Sequence, residues 1–155
     1  MEFKKTFEVE ILRPDGAIRY RACAVAFPAH DGEREVLAGH VPFLSVVEAG
    51  ILRVCKENGE WDYFFVDGGT VEVEKGHFCL LTSRSVPASK IVREEAQTLL
   101  SSAQKRKTGE GYSPEQKRED VRMAQCMVKL AGLEAHRHPE KGPSEKRHLR
   151  EKSEI

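Results

Sequence analysis

The chain has 155 residues, equal numbers of basic and acidic side chains, and 32% charged residues. That length carries one hydrophobic core, or a compact domain plus a small appendage. A net charge of +0 excludes both the global basic footprint of a nucleic-acid binder and an acidic-tail protein. No apolar run approaches the ~20 residues needed to span a bilayer, and Met1-Glu2-Phe3-Lys4-Lys5 lacks the apolar core of a signal peptide, so the protein is expected to stay where it is made. Cys23, Cys55, Cys79 and Cys126 are scattered and form no C-x-x-C pair. They read as buried or idle thiols of a reducing compartment.

Residues 6 to 83 read as short strands separated by turns. Thr6 to Ile11 alternates strictly, placing Phe7, Val9 and Ile11 on one face. Pro14-Asp15-Gly16 turns the chain into a second strand from Ala17 to Phe27, closed by Pro28 and Asp31-Gly32. Glu35–Leu37 and Phe43–Val47 follow. Gly50 then opens Ile51–Cys55, Asn58-Gly59 signals a hairpin into Trp61–Val66, and Asp67-Gly68-Gly69 reads as a tight reversal into Thr70–Val73. Lys75-Gly76 turns into His77–Thr82. Many short strands at this spacing predict a sandwich or flattened barrel.

Near Val86-Pro87 the period changes. Ala88, Ile91, Val92, Ala96, Leu99, Leu100 and Ala103 keep the rhythm of one helical face, with Lys105-Arg106-Lys107 near the end and a stop at Gly109 or Gly111. Ser113-Pro114-Glu115-Gln116 is a helix start signal. The second helix carries Val121, Ala124, Val128 and Ala131 as its stripe, with Met127 and Leu130 beside it. Two helices of about 20 residues joined by a Gly-rich link predict an antiparallel hairpin with arms about 30 Å long. Their thin, alanine-rich stripes predict a modestly stable hairpin. From Glu134 to Ile155 the composition shifts to charge, His and Pro, as in a solvated, disordered tail; His136-Arg137-His138 has no frame of further metal ligands around it. The expected domains are therefore 1–86, 87–133 and a tail of 134–155, in an α+β chain.

Phosphate-binding glycine loops, a nucleophile elbow and a zinc-helix motif are all lacking, so no catalytic residue is assigned. His30, His40 and His77 could form a metal site only if the fold gathered them, and each sits beside a turn, so no metal is expected. The most organised stretch is Asp31 to Ser45, where Gly39 and Pro42 would stiffen a corner that holds His40 at the rim of a sheet. Its plainer alternative is a solvated turn.

These motifs together resemble the epsilon subunit of rotary ATP synthases. Gly32 to Leu44 matches G-x-x-x-x-L-x-G-H-x-P-x-L, and Ala49-Gly50-Ile51-Leu52-Arg53 and Asp67-Gly68-Gly69-Thr70-Val71-Glu72-Val73 follow in register, ahead of the helical hairpin. Val66–Gly69 and Leu81–Arg84 are also similar to the alternate ATPases. The resemblance covers residues 6 to about 133 and implies a flattened β-sandwich of about ten strands followed by two helices. It implies a non-catalytic central-stalk place on the cytoplasmic face of the membrane, bound to the gamma subunit and c-ring and transiently to the alpha/beta head. Membrane contact would be indirect, through the ring. By the same likeness Glu33, Gly39, His40, Val41 and Pro42 meet the c-ring. The basic hairpin residues Arg93, Arg118, Arg122 and Lys129 are candidates to meet acidic surface on the head, with ordinary solvated helix faces as the plainer alternative. Two departures stand out: Arg34-Glu35 replaces Leu-Gly, and Ala38 replaces Pro. The family's ATP motif on the first helix falls on Lys90 to Glu94, where Arg93 is kept but Lys90 occupies the Asp position and Glu94 the Ala position. No nucleotide cofactor is therefore expected. A stand-alone sandwich adaptor that dimerises through its helices, and a small histidine-metal enzyme, are the competing readings.

Overall fold

A computed structural model describes residues 5–137. The chain divides into a β unit ending at Ser85 and a helical unit beginning at Val86. The strands are β1 (Phe7–Arg13), β2 (Gly16–Ala29), β3 (Gly32–Leu37), β4 (Phe43–Lys56), β5 (Trp61–Glu74), β6 (His77–Leu81) and β7 (Ser85–Pro87). Their order is β1-β6-β5-β4-β2-β3, and β1 also pairs with β2, which closes the sheet on itself. β1 runs parallel to β6 and antiparallel to β2, while β7 pairs with β5. Closure leaves only short edges, the usual device by which a small β body protects its backbone.

The described residues hold seven strands rather than about ten, because β2, β4 and β5 are each 14 residues long. The expected break at Gly50 lies inside β4, and Asp67-Gly68-Gly69 lies inside β5. That glycine pair bends the strand without ending it. β5 stays paired with β4 on both sides of the bend, from Cys55↔Trp61 to Phe43↔Val73. Gly69 has φ 144°, and a Cβ there would stand 2.0 Å from the Leu81 carbonyl oxygen, so only glycine admits this approach of β6. Asp67 braces the bend: its carboxylate accepts hydrogen bonds from the hydroxyls of Thr82 and Ser83 and from the Arg84 N–H.

The predicted alternation in β1 is observed, with Phe7, Val9 and Ile11 all buried. They join Val25, Phe27, Leu52, Val54, Phe78 and Leu80 in one core. Phe27 and Phe78 meet at 6.1 Å between ring centroids, in the tilted arrangement that aromatic quadrupoles favour.

In the helical unit a 3-10 turn (Ala88–Lys90) precedes α1 (Arg93–Lys105) and α2 (Pro114–Arg137). α1 starts later than its apolar rhythm indicates. Ile91 and Val92 are buried yet extended, with ψ of 121° and 122°. With 13 residues α1 is also shorter than expected, about 20 Å long. The start of α2 follows its signal: the Gln116 N–H donates to Ser113 Oγ and the Ser113 N–H to Gln116 Oε1, a reciprocal capping box. In the link, Arg106 lies over the Tyr112 ring at 3.7 Å and the Tyr112 hydroxyl donates to Asp120. α2 buries Ala124, Met127, Leu130, Ala131 and Glu134 and continues to Arg137, so the expected tail begins no earlier than 138. Positions 138–155 lie outside the described residues, as does His138 of the His136-Arg137-His138 stretch.

Candidate functional site

Leu37-Ala38-Gly39-His40 links β3 to β4 as a tight turn, closed by the His40 N–H donating to the Leu37 carbonyl at 3.2 Å. Gly39, third in the turn, has φ 83°, the angle a type II turn demands there. The second position needs only ordinary backbone angles, so Ala38 serves where the resemblance leads one to expect Pro. His40 is exposed, and its Nδ1 stands 2.9 Å from the Val41 carbonyl oxygen. A carbonyl only accepts, so Nδ1 carries the proton and Nε2 is left to address a partner. The imidazole also meets Phe43 edge-on at 5.0 Å, and Phe43 stacks on buried Phe27 at 6.4 Å. The corner is thus tied to the core through two rings.

Around this corner apolar side chains face outward. Val41 and Leu44 are each 73% exposed and Val46 is 68% exposed. Leu44 and Val46 share the outer face of β4, and Val46 lies in register with Thr70, which pairs with Leu81, a further exposed residue. Sequence reasoning found the corner and missed this apolar face. The signal was there in Leu44-Ser45-Val46-Val47: on a strand with Val47 inward, Val46 must point out.

Glu33 lies elsewhere. It follows the β2–β3 turn, whereas His40 lies beyond the opposite end of β3; Glu33 to Leu37 alone spans about 13 Å along the strand. The structure therefore brings Gly39, His40, Val41 and Pro42 together and leaves Glu33 apart. Glu33 forms a two-pronged ion pair with Arg53 of β4, and Arg53 sits over the Trp61 ring at 5.4 Å. Asp31 and Arg34 pair beside it, and the Arg34 hydrogen bond holds the Asp31 carboxyl below its usual range. Arg53 was not singled out as a site residue because its partner is distant in sequence and only the β2–β3–β4 packing joins them.

On the helical unit Arg118, Arg122 and Lys129 are exposed along α2 at helical spacing, so they share one face. Arg118 and Arg122 line an open hollow of about 740 Å³ together with Lys117, Thr108 and Gln125. Arg93 begins α1, on the other arm, and is exposed. Lys90 closes the 3-10 turn and Glu94 lies in the first turn of α1. His30 contacts Glu48 at 3.4 Å and His77 begins β6; among the described residues no group of three or more His, Cys, Asp or Glu is placed to hold a metal ion. No helix among them is long and apolar enough to cross a membrane.

Residues 6–88 match the family model for the beta-sandwich domain of the ATP synthase Delta/Epsilon chain. The ATP synthase epsilon chain of Alkalilimnicola ehrlichii is 31% identical over 83% of this chain and 93% of its own length. That of Synechococcus sp. JA-2-3B'a(2-13) is 34% identical over 64% and 73%, respectively. In fold the chain resembles one from the Euglena gracilis mitochondrial ATP synthase, with a TM-score of 0.68 at 23% identity, covering 86% of this chain and 84% of that one. Matching family model, matching relatives and the closed β unit ahead of two helices agree: the chain belongs to the ATP synthase delta/epsilon chain family.

Proposed function

We propose that this chain is a non-catalytic central-stalk subunit of a rotary ATP synthase, standing between the gamma subunit and the c-ring on the cytoplasmic side of the membrane. The observation that carries the reading is the Leu37–Pro42 corner, a rigid turn that projects His40 and the apolar Val41 from the end of a closed β body. A rotor joint has to transmit torque, and a turn locked by a hydrogen bond, a left-handed glycine and ring packing onto the core yields little under load. Val41, Leu44 and Val46 give such a joint apolar area to bury, while His40 Nε2 adds a directional polar contact. Glu33, held by Arg53, contributes to the charge pattern of the neighbouring edge rather than to the corner itself.

The helical unit would act as a brake on hydrolysis. Arg118, Arg122 and Lys129 offer one basic face to acidic surface on the alpha/beta head, and Arg93 would engage it separately. ATP is not expected to bind tightly at Lys90–Glu94, since the Lys90 ammonium cannot accept the hydrogen bonds a carboxylate would; a micromolar affinity by calorimetry would overturn that point.

The central test is reconstitution. An ATP synthase depleted of this chain should recover ATP-driven ion pumping when the full chain is returned, and a photo-crosslinker at position 41 should capture the c-ring. Failure of the chain to co-purify with gamma and ring subunits would reject the stalk assignment. Truncation after Ser85 should raise ATP hydrolysis by the assembled enzyme. Unchanged hydrolysis would remove the brake and leave the coupling role.

A further inference from the structure

Two cysteines far apart in the sequence, with nothing in their spacing to suggest a pair, meet in the β unit. Cys23 of β2 and Cys55 of β4 place their sulfurs 3.0 Å apart, both as thiols. The local register explains the meeting. Pairing between β2 and β4 jumps from Ala22↔Lys56 to Ala24↔Cys55, so Cys23 is the extra residue of a β-bulge. A bulge re-aims its side chain, and this one turns Cys23 onto the sulfur across the ladder.

Access is uneven in a useful way. Cys23 is partly exposed, whereas Cys55 is 4% exposed. Both line an open pocket of about 420 Å³, with Lys5, Leu37 and Trp61 among its other walls. A small molecule entering there would meet the more exposed Cys23 before the buried Cys55.

We propose that Cys23 and Cys55 form a redox-active dithiol whose substrate class is a low-molecular-weight disulfide of the glutathione type. The Cys23 thiolate attacks one sulfur of the incoming disulfide, forming a mixed disulfide and expelling one thiolate, which takes up a proton. Cys55 then loses its proton and attacks the Cys23 sulfur, forming the Cys23–Cys55 bond and expelling the second thiol. The protein dithiol is oxidised by two electrons, and the small disulfide is reduced to two thiols. Lys5 at the pocket offers a cation to the carboxylates of such a reagent. The sulfurs need close by only about 1 Å to reach bonding distance. This chemistry stands independently of the stalk role.

Trp61 supplies the reporter. It is the single tryptophan of the chain and pairs with Cys55 across β4 and β5, close enough for a new disulfide to quench its emission. The full chain is incubated with oxidised glutathione, then alkylated and mapped by mass spectrometry. The expected result is loss of two of its four thiols, a Cys23–Cys55 cross-linked peptide, and Trp61 quenching reversed by dithiothreitol. Cys55→Ser should stop at a glutathione adduct on Cys23, and the Cys79→Ser/Cys126→Ser double variant should still cross-link. Retention of all thiols by the wild-type chain, a persistent wild-type glutathione adduct, or loss mapped to Cys79 or Cys126 would each overturn the proposal.

Discussion

The two units of this chain bury different kinds of side chain. In the β unit Phe27, Phe78, Ile11, Leu52 and Leu80 are all fully enclosed, whereas within α1 and α2 the buried side chains are mostly alanines, Ala96, Ala103, Ala124 and Ala131, with Met127 and Leu130 larger. Ile91, Val92 and Tyr112 of the helical unit are buried outside those two helices. Burying a Phe or Leu stabilises a fold by about 1.5–3 kcal/mol, and an alanine methyl by well under half of that. The β unit is therefore a body that keeps its shape, and the helical unit is one whose packing is cheap to exchange. The role proposed above, a fixed grip with a movable brake, calls for that inequality, since a conformational switch requires two arrangements of nearly equal free energy.

The largest expected effect tests the rigid side of the comparison. Phe78→Ala removes the ring that meets Phe27 and should cost about 3–5 kcal/mol, read as a lower urea midpoint in Trp61 fluorescence. A loss below about 1 kcal/mol would show that the β core is as loosely held as the helices. Next comes Gly69→Ala. Its Cβ collides with the Leu81 carbonyl, and the strain should cost about 2 kcal/mol in the same transition. Ser113→Ala should cost about 1 kcal/mol by removing the cap of α2. Hydrogen exchange should quicken in the first turn of α2 while the Trp61 transition stays in place; a shifted Trp61 midpoint would mean that the two units unfold together.

The smallest effect concerns pH. The Arg19 hydrogen bond holds the Glu10 carboxyl below its ordinary value of 4.5, so the charged form favours the folded β unit. That contribution is complete above the ordinary value and is lost as pH falls below it, towards the depressed folded value. Arg19→Met should flatten this acid limb in the Trp61 transition and leave the helical unit untouched. An unchanged limb would remove the pair from the account.

Legibility also differed between the units and between kinds of feature. Phe7, Val9 and Ile11 could be placed in the core from alternation alone, and the Ser113–Gln116 capping box from its spacing, because both depend on neighbours within a few residues. Apolar rhythm misled at Ile91 and Val92: it marks which residues are buried, and an extended segment can bury them as well as a helix can. Asp67-Gly68-Gly69 misled for the opposite reason. Locally it is a turn signal, yet here the glycines serve the close approach of Leu81 from another strand. The charged composition after Glu134 did not stop α2, since Glu134 itself is buried and charged residues are good helix formers.

At the rim, the corner residues Gly39 to Pro42 were legible because glycine and proline restrict backbone angles wherever they stand. Glu33 shares that ring-facing rim only on resemblance; strand length sets it near the end of β3 opposite the corner.

Backbone punctuation, apolar period and capping chemistry are local properties, and from them the residue order alone determined a β body, two helices and a stiff histidine corner. The closure of β1 on β2 and β6, the capture of Glu33 by Arg53, and the meeting of Cys23 with Cys55 were decided only in three dimensions. Each depends on the register between strands remote in sequence, and register emerges from the packing of the whole core rather than from any short stretch of chain.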